Sequence, residues 1–164
     1  MQTETINTCI EAGTTLILGI IGICITRYYS KHTQAIANET MMKQLFTEFN
    51  KRYDELNNYL AEIEQKYKEI DDLKNATKDG HDNYGAFLQQ KVIDYFSLCA
   101  EEFYWYEHKK RIDPLIWKSW NAGMNYWYNE VETIKELWKK EIEANGKESY
   151  YIKGEIEFFK EKQS

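Results

Sequence analysis

The chain has 164 residues and a net charge of −6, from 21 Lys and Arg against 27 Asp and Glu; a surface of that sign repels phosphate backbones and argues against a nucleic-acid partner. One proline, eight glycines and 15% aromatic residues, with five Trp and thirteen Tyr, describe long helices that must bury large rings. The cysteines Cys9, Cys24 and Cys99 are odd in number and form no C-x-x-C pair, which excludes a disulfide framework or a cysteine zinc site and fits a reducing compartment for most of the chain.

The first element is carried by EAGTTLILGIIGICITRYYSK, residues 11 to 31. No charge interrupts it from Ala12 to Thr26, and Arg27 is long enough to snorkel to an interface. The usable span approaches the ~20 residues a bilayer needs. A secretory signal has cations before its apolar run and small residues after it. Here Glu4 and Glu11 come first, and Arg27, Tyr28, Tyr29 and Lys31 follow. The Tyr pair suits an aromatic belt, and the late cations suit a cytoplasmic side. The expectation is a short extracytoplasmic tail over 1–8, a transmembrane helix over 9–30 and a cytoplasmic body over 31–164, in a bacterial inner membrane. The rival is a soluble oligomer that buries this helix in a hydrophobic bundle of copies.

On a helical wheel Glu11, Thr15, Gly19, Gly22 and Thr26 fall on one side, within about 80° of arc, and Ile and Leu dominate the rest. Small residues let helix backbones approach, and Thr hydroxyls bond across the contact. Glu11 on that face would be costly towards lipid. This face is the expected surface for self-association, giving a homo-oligomer.

The body reads as helices over about 35–75, 84–112, 114–144 and 149–161. A cap at Ser30, Thr33 or Asn38 would mark the junction with the anchor. The first stripe runs Met42, Phe46, Phe49, Tyr53, Leu56, Leu60, Ile63, Tyr67, Ile70, alternating steps of four and three. NATKDGHDNYG then supplies turn formers. The second stripe is Leu88, Val92, Tyr95 with Phe96, Cys99, Phe103 and Tyr106. Asp113 and Pro114 give a strong start to the third helix, which carries Trp117, Trp120, Met124, Trp127, Val131, Ile134 and Trp138. Matched helices and short connections imply an all-α, antiparallel three-helix bundle with a short C-terminal helix. A parallel coiled-coil dimer is the other use of the first stripe.

Chemistry is sparse. There is no E-x-x-H, nucleophile elbow or phosphate-cradling glycine loop, and His32, His81 and His108 are scattered. Asp79, His81 and Asp82 read as a solvated turn and not as a metal site. Cys99 lies on an apolar stripe, as an inert thiol would. Glu101 and Glu102 are adjacent and so cannot face each other as an acid–base dyad; one is expected near a Trp N–H or Arg111, the other in solvent. The expectation is no enzyme, no catalytic residue, no metal and no cofactor. Tyr104 and Trp105 lie off the main stripe beside Lys109, Lys110 and Arg111 and form the candidate patch for a protein partner. Packing beneath the C-terminal helix is the alternative for those rings.

LFTEFNKRYDELNNYL (45–60) and VIDYFSLCAEEFYWYEHKKRIDPLIWKSWNAGM (92–124) resemble a family of small uncharacterised bacterial proteins in which one membrane helix precedes an all-helical cytoplasmic domain. The resemblance covers about half the chain. It implies bacterial origin, single-pass topology and a helical body, and no catalytic residue. By analogy of kind with proteins of this build, it implies a phage-defence accessory or membrane effector.

Overall fold

The computed structural model describes residues 2–78 and 82–162, with side chains in the first helix from residue 13 onward. Its elements are helices α1 (Gln2–Lys66), α2 (Ile70–Lys74), α3 (Tyr84–Phe103), α4 (Pro114–Glu130) and α5 (Glu132–Asn145), with a π turn at Tyr104–His108 and a 3-10 turn at Lys147–Tyr150. The all-α class expected from the stripes is what the structure has. The chain divides into two compact units, residues 1–44 and 45–164.

The first unit belongs to α1, and every side chain from Gly13 to Ala37 is exposed. No break occurs at Ser30, Thr33 or Asn38. Among the described residues, no helix is long and apolar enough to cross a membrane. The expected span over 9–30 is helical throughout, but the side chains of residues 9–12, at its head, lie outside the described ones.

The second unit is an up-down-up bundle. Arg52 meets Glu101, Tyr53 meets Tyr95 and Tyr59 meets Phe87, so α1 and α3 run antiparallel. Phe46 stacks on Trp120 and Tyr53 bonds Trp127, so α4 runs parallel to α1. The stripes become the core: Leu60, Ile63, Leu88, Val92 and Ile134 have no exposed surface. Burial of each such side chain stabilises the fold by about 1.5–3 kcal/mol.

All four expected helices of the body need correction. The helix over 84–112 leaves α geometry at Phe103 for a π turn that ends at His108. The helix over 35–75 ends at Lys66, and residues 67–69 turn the chain before α2. That end frees the Tyr67 carbonyl, which accepts the hydroxyl of fully buried Thr133 at 2.7 Å. The helix over 114–144 breaks at Val131, which is extended at φ −119°, ψ 94°. Val131 itself stays buried, so the 3–4 spacing continues through a break that neither glycine nor proline marks. The segment over 149–161 is not helical beyond Tyr150.

An asparagine ladder explains that last difference. Asn121 and Asn125 donate to the Phe158 carbonyl at 2.7 and 3.0 Å, and Asn129 donates to the Lys160 carbonyl at 2.9 Å. Asn125 and Asn129 side-chain oxygens accept from the amides of Lys160 and Lys162 at 2.7 and 3.0 Å. Four helical residues rise about 6 Å and two extended residues about 6.6 Å, so asparagines four apart pair with backbone groups two apart. The ladder supplies from side chains the partners a strand would provide, and it sets Phe158 and Phe159 against Trp138 at 5.3 and 4.9 Å.

Candidate functional site

The second stripe contains one misfit. Steps of four and three from Leu88 pass through Val92, Tyr95 and Cys99 and land on Glu102. Helical geometry therefore carries a carboxyl into the core, where Glu102 is 6% exposed. Its neighbour Glu101 points elsewhere and takes both guanidinium nitrogens of Arg52, at 2.6 and 3.1 Å. Neither the expected approach to Arg111 nor a solvated second carboxylate describes the pair. Arg52, one turn before Leu56 on α1, is the cation, and the more buried carboxyl has no salt bridge among the described residues.

Glu102 lines a cavity of about 230 Å³ between α1, α3 and α4. Asn50 and Tyr53 come from α1, Tyr95, Leu98 and Cys99 from α3, and Ser119, Trp120, Gly123 and Met124 from α4. Tyr95 is 1% exposed, and its hydroxyl has no oxygen or nitrogen partner among the described residues; the buried Cys99 thiol, one turn on, is the weak partner beside it. Tyr53 accepts a hydrogen bond from Trp127 Nε1 at 3.1 Å. Burial pushes the Glu102 carboxyl up to about 8; the Arg52 charge pulls the other way and Glu101 adds to the rise. Burial also raises the Tyr95 hydroxyl and the Cys99 thiol well above their usual values. Near pH 7 the lining is uncharged, with a protonated carboxyl, a phenol and a thiol close together. The inert thiol expected at Cys99 is buried, as its stripe position requires.

The other residues singled out in the sequence lie elsewhere. In the first unit, a Cβ added at Gly19 or Gly22 would meet nothing within 4 Å, and the Thr26 hydroxyl bonds the Gly22 carbonyl at 2.8 Å. Thr15 is exposed, and the side chain of Glu11 lies outside the described residues. In the second unit, Tyr104 and Trp105 are half-buried in the π turn, and Lys109, Lys110 and Arg111 are exposed. Tyr104 packs on Tyr151 at 4.9 Å, and His108 Nε2 lies 2.8 Å from the Tyr151 carbonyl. The C-terminal turn thus covers one ring of the candidate patch. Lys109 sits over the Tyr104 ring at 5.3 Å and Lys110 over Tyr106 at 5.8 Å. The three cations do not end a straight helix. Lys110 is left-handed at φ 51°, and the Arg111 amide reaches back to the Trp105 carbonyl at 3.0 Å, closing α3 in a Schellman-like cap.

Among the described residues, no group of three or more His, Cys, Asp or Glu side chains is placed to hold a metal ion; Asp79 and His81 lie outside them. No family model, curated protein or solved structure matches the chain.

Proposed function

We propose that this is a single-pass protein of a bacterial inner membrane, anchored and self-associated through the first part of α1, whose helical body acts by binding and not by catalysis. The observation that carries the reading is the uncovered stripe: Leu16 and Leu18 are 67% exposed, Ile17 and Ile23 57%, and Ile20 54%. Each such side chain gains about 1.5–3 kcal/mol when removed from water, so a run of them demands lipid or other copies as cover. Lipid fits better, because the stripe ends in exposed Tyr28 and Tyr29 followed by Lys31, the order of an interfacial belt and a cytoplasmic flank. The N-terminus then faces out and the body faces the cytoplasm. The open glycines at 19 and 22 support close approach of a second helix on the face of Glu11, Thr15, Gly19, Gly22 and Thr26. Tyr104, Trp105 and the Lys109–Arg111 cluster are the surface proposed for a protein partner; a role as defence accessory or effector rests on the family resemblance.

The test is fractionation of cells expressing the full chain. The protein is expected to stay with membranes through carbonate and high-salt washes and to leave them in detergent. Release by carbonate alone would identify the soluble oligomer instead. In a membrane reporter of self-association, Gly19→Ile with Gly22→Ile is expected to lower the signal several-fold; an unchanged signal removes the association face but leaves the anchor standing.

A further inference from the structure

We infer that the cavity between α1, α3 and α4 is a binding site for a small organic ammonium ion, held by the Glu102 carboxylate and the Tyr95 hydroxyl in a lining that includes Tyr53 and Trp120. Three observations converge on that chemistry. Every ionisable group lining the cavity is an acid: Glu102, Tyr95, Cys99 and Tyr53. Among the described residues no Lys, Arg or His lines it, so an anion finds no counter-charge there, and Arg52 is engaged by Glu101 outside the lining. Two polar groups, Glu102 and Tyr95, are more than nine-tenths buried, and the Tyr95 hydroxyl has only the weak Cys99 thiol beside it, so its loss of water is poorly offset. Tyr53, Tyr95 and Trp120 are among the lining residues, and aromatic rings attract a cation that comes within about 6 Å of their centroids. A volume of about 230 Å³ admits an amine of a few carbons and excludes drug-sized molecules.

Binding is coupled to a proton. Glu102 is protonated near pH 7 because burial raises it to about 8. The charges acting on it are attractive Arg52 from α1 and repulsive Glu101 from α3; the lining residues of α4 carry none. An entering ammonium ion supplies the missing counter-charge, and the carboxyl proton leaves to solvent. The site exchanges one cation for another.

The experiment is isothermal titration of the purified full chain with n-butylammonium chloride, and separately with n-butanol, in buffers of different ionisation enthalpy. Butylammonium is expected to bind one-to-one with millimolar or tighter affinity, to release nearly one proton at pH 7, and to bind roughly tenfold more tightly from pH 6 to 7 and about fivefold more from pH 7 to 8. Butanol is expected to bind at least tenfold more weakly at pH 8 and to release no proton. Glu102→Gln keeps the shape of the side chain and is expected to abolish butylammonium binding with the far-UV circular dichroism unchanged. Should that variant misfold, Tyr95→Phe removes one hydroxyl and is expected to weaken binding about three- to tenfold. Equal binding of amine and alcohol, proton-independent amine binding, no amine binding at millimolar concentration, or full binding by a folded Glu102→Gln would each overturn the site. None of these outcomes bears on the membrane reading, which is decided by fractionation.

Discussion

In the stretch before residue 44, Leu16 and Leu18 keep 67% of their surface; in the body, Leu60 and Leu88 keep none. The residue type is the same and so is the helical backbone, so the difference comes from the order of the neighbours. Residues 16 to 25 place Ile or Leu at 16, 17, 18, 20, 21, 23 and 25, which covers most of the helix circumference. A helix that is apolar nearly all round has no polar side to turn to water, and within its own unit nothing covers it. From residue 45 onward the apolar positions keep to steps of three and four, and each stripe meets another. In the body the apolar stripes cover one another; in the first unit the apolar side chains from Leu16 to Ile25 are exposed.

The largest test of that contrast compares two large-to-small changes. Trp138 is 5% exposed and packs on Phe96 at 5.0 Å, Tyr150 at 4.9 Å and Phe159 at 4.9 Å. Trp138→Ala is expected to destabilise the body by about 3–5 kcal/mol in urea unfolding followed by far-UV circular dichroism. Ile20→Ala, at a site 54% exposed, is expected to stay within about 0.5 kcal/mol. Comparable losses at both sites would mean that the apolar stripe packs against protein after all.

The second test uses the buried carboxyl, a feature confined to the body. The folded-state value of Glu102, about 8, lies above the unfolded value of a glutamate, so the folded state holds the extra proton between them. Stability from this group is full below about pH 4.5 and falls as pH rises towards 8, with a slope of at most about 1.4 kcal/mol per pH unit. The measurement is the difference in unfolding free energy between the native chain and Glu102→Gln across that window. The native chain should lose ground steadily as pH rises, and a flat difference would place Glu102 in water.

Much of this architecture is legible in the sequence, because periodicity reports burial and burial builds the bundle. The stripes from Phe49 to Ile63 and from Leu88 to Phe103 are the core, and Asp113 caps α4 by accepting from the Leu115 amide at 2.7 Å. What pattern reading misses is non-local. The break at Val131 leaves the 3–4 count intact, so periodicity is blind to it. The segment 151–162 has helical spacing at Ile152, Ile156 and Phe159, yet Asn121, Asn125 and Asn129 offer its backbone better partners than its own turns would. Three asparagines four apart on an otherwise aromatic helix were the available signal. Glu102 was equally visible as the charge that falls on the apolar stripe, but Tyr95 became informative only once the fold placed its buried hydroxyl in the lining of the same cavity.

The smallest contrast lies between two glycines. Gly85, in the first turn of α3, donates its amide to the Ala76 carbonyl at 3.0 Å, which satisfies one of the helix's four orphan donors. That bond draws the end of α2 down onto α3. A Cβ at residue 85 would lie 2.2 Å from the Leu73 carbonyl oxygen and 2.7 Å from that of Lys74. Both are backbone atoms, so relief requires α2 to lift and Leu73, now without exposed surface, to lose part of its cover. Gly85→Ala is therefore expected to cost about 1–3 kcal/mol, the range for overpacking, despite the better helix propensity of alanine. Gly19→Ala meets open space and should leave the unfolding of the body unchanged. The same methyl group is harmful where chain lies over the helix and silent where none does. A Gly85→Ala protein as stable as the native chain would show that the α2–α3 contact yields at little cost, and that tight packing in the body begins further into α3.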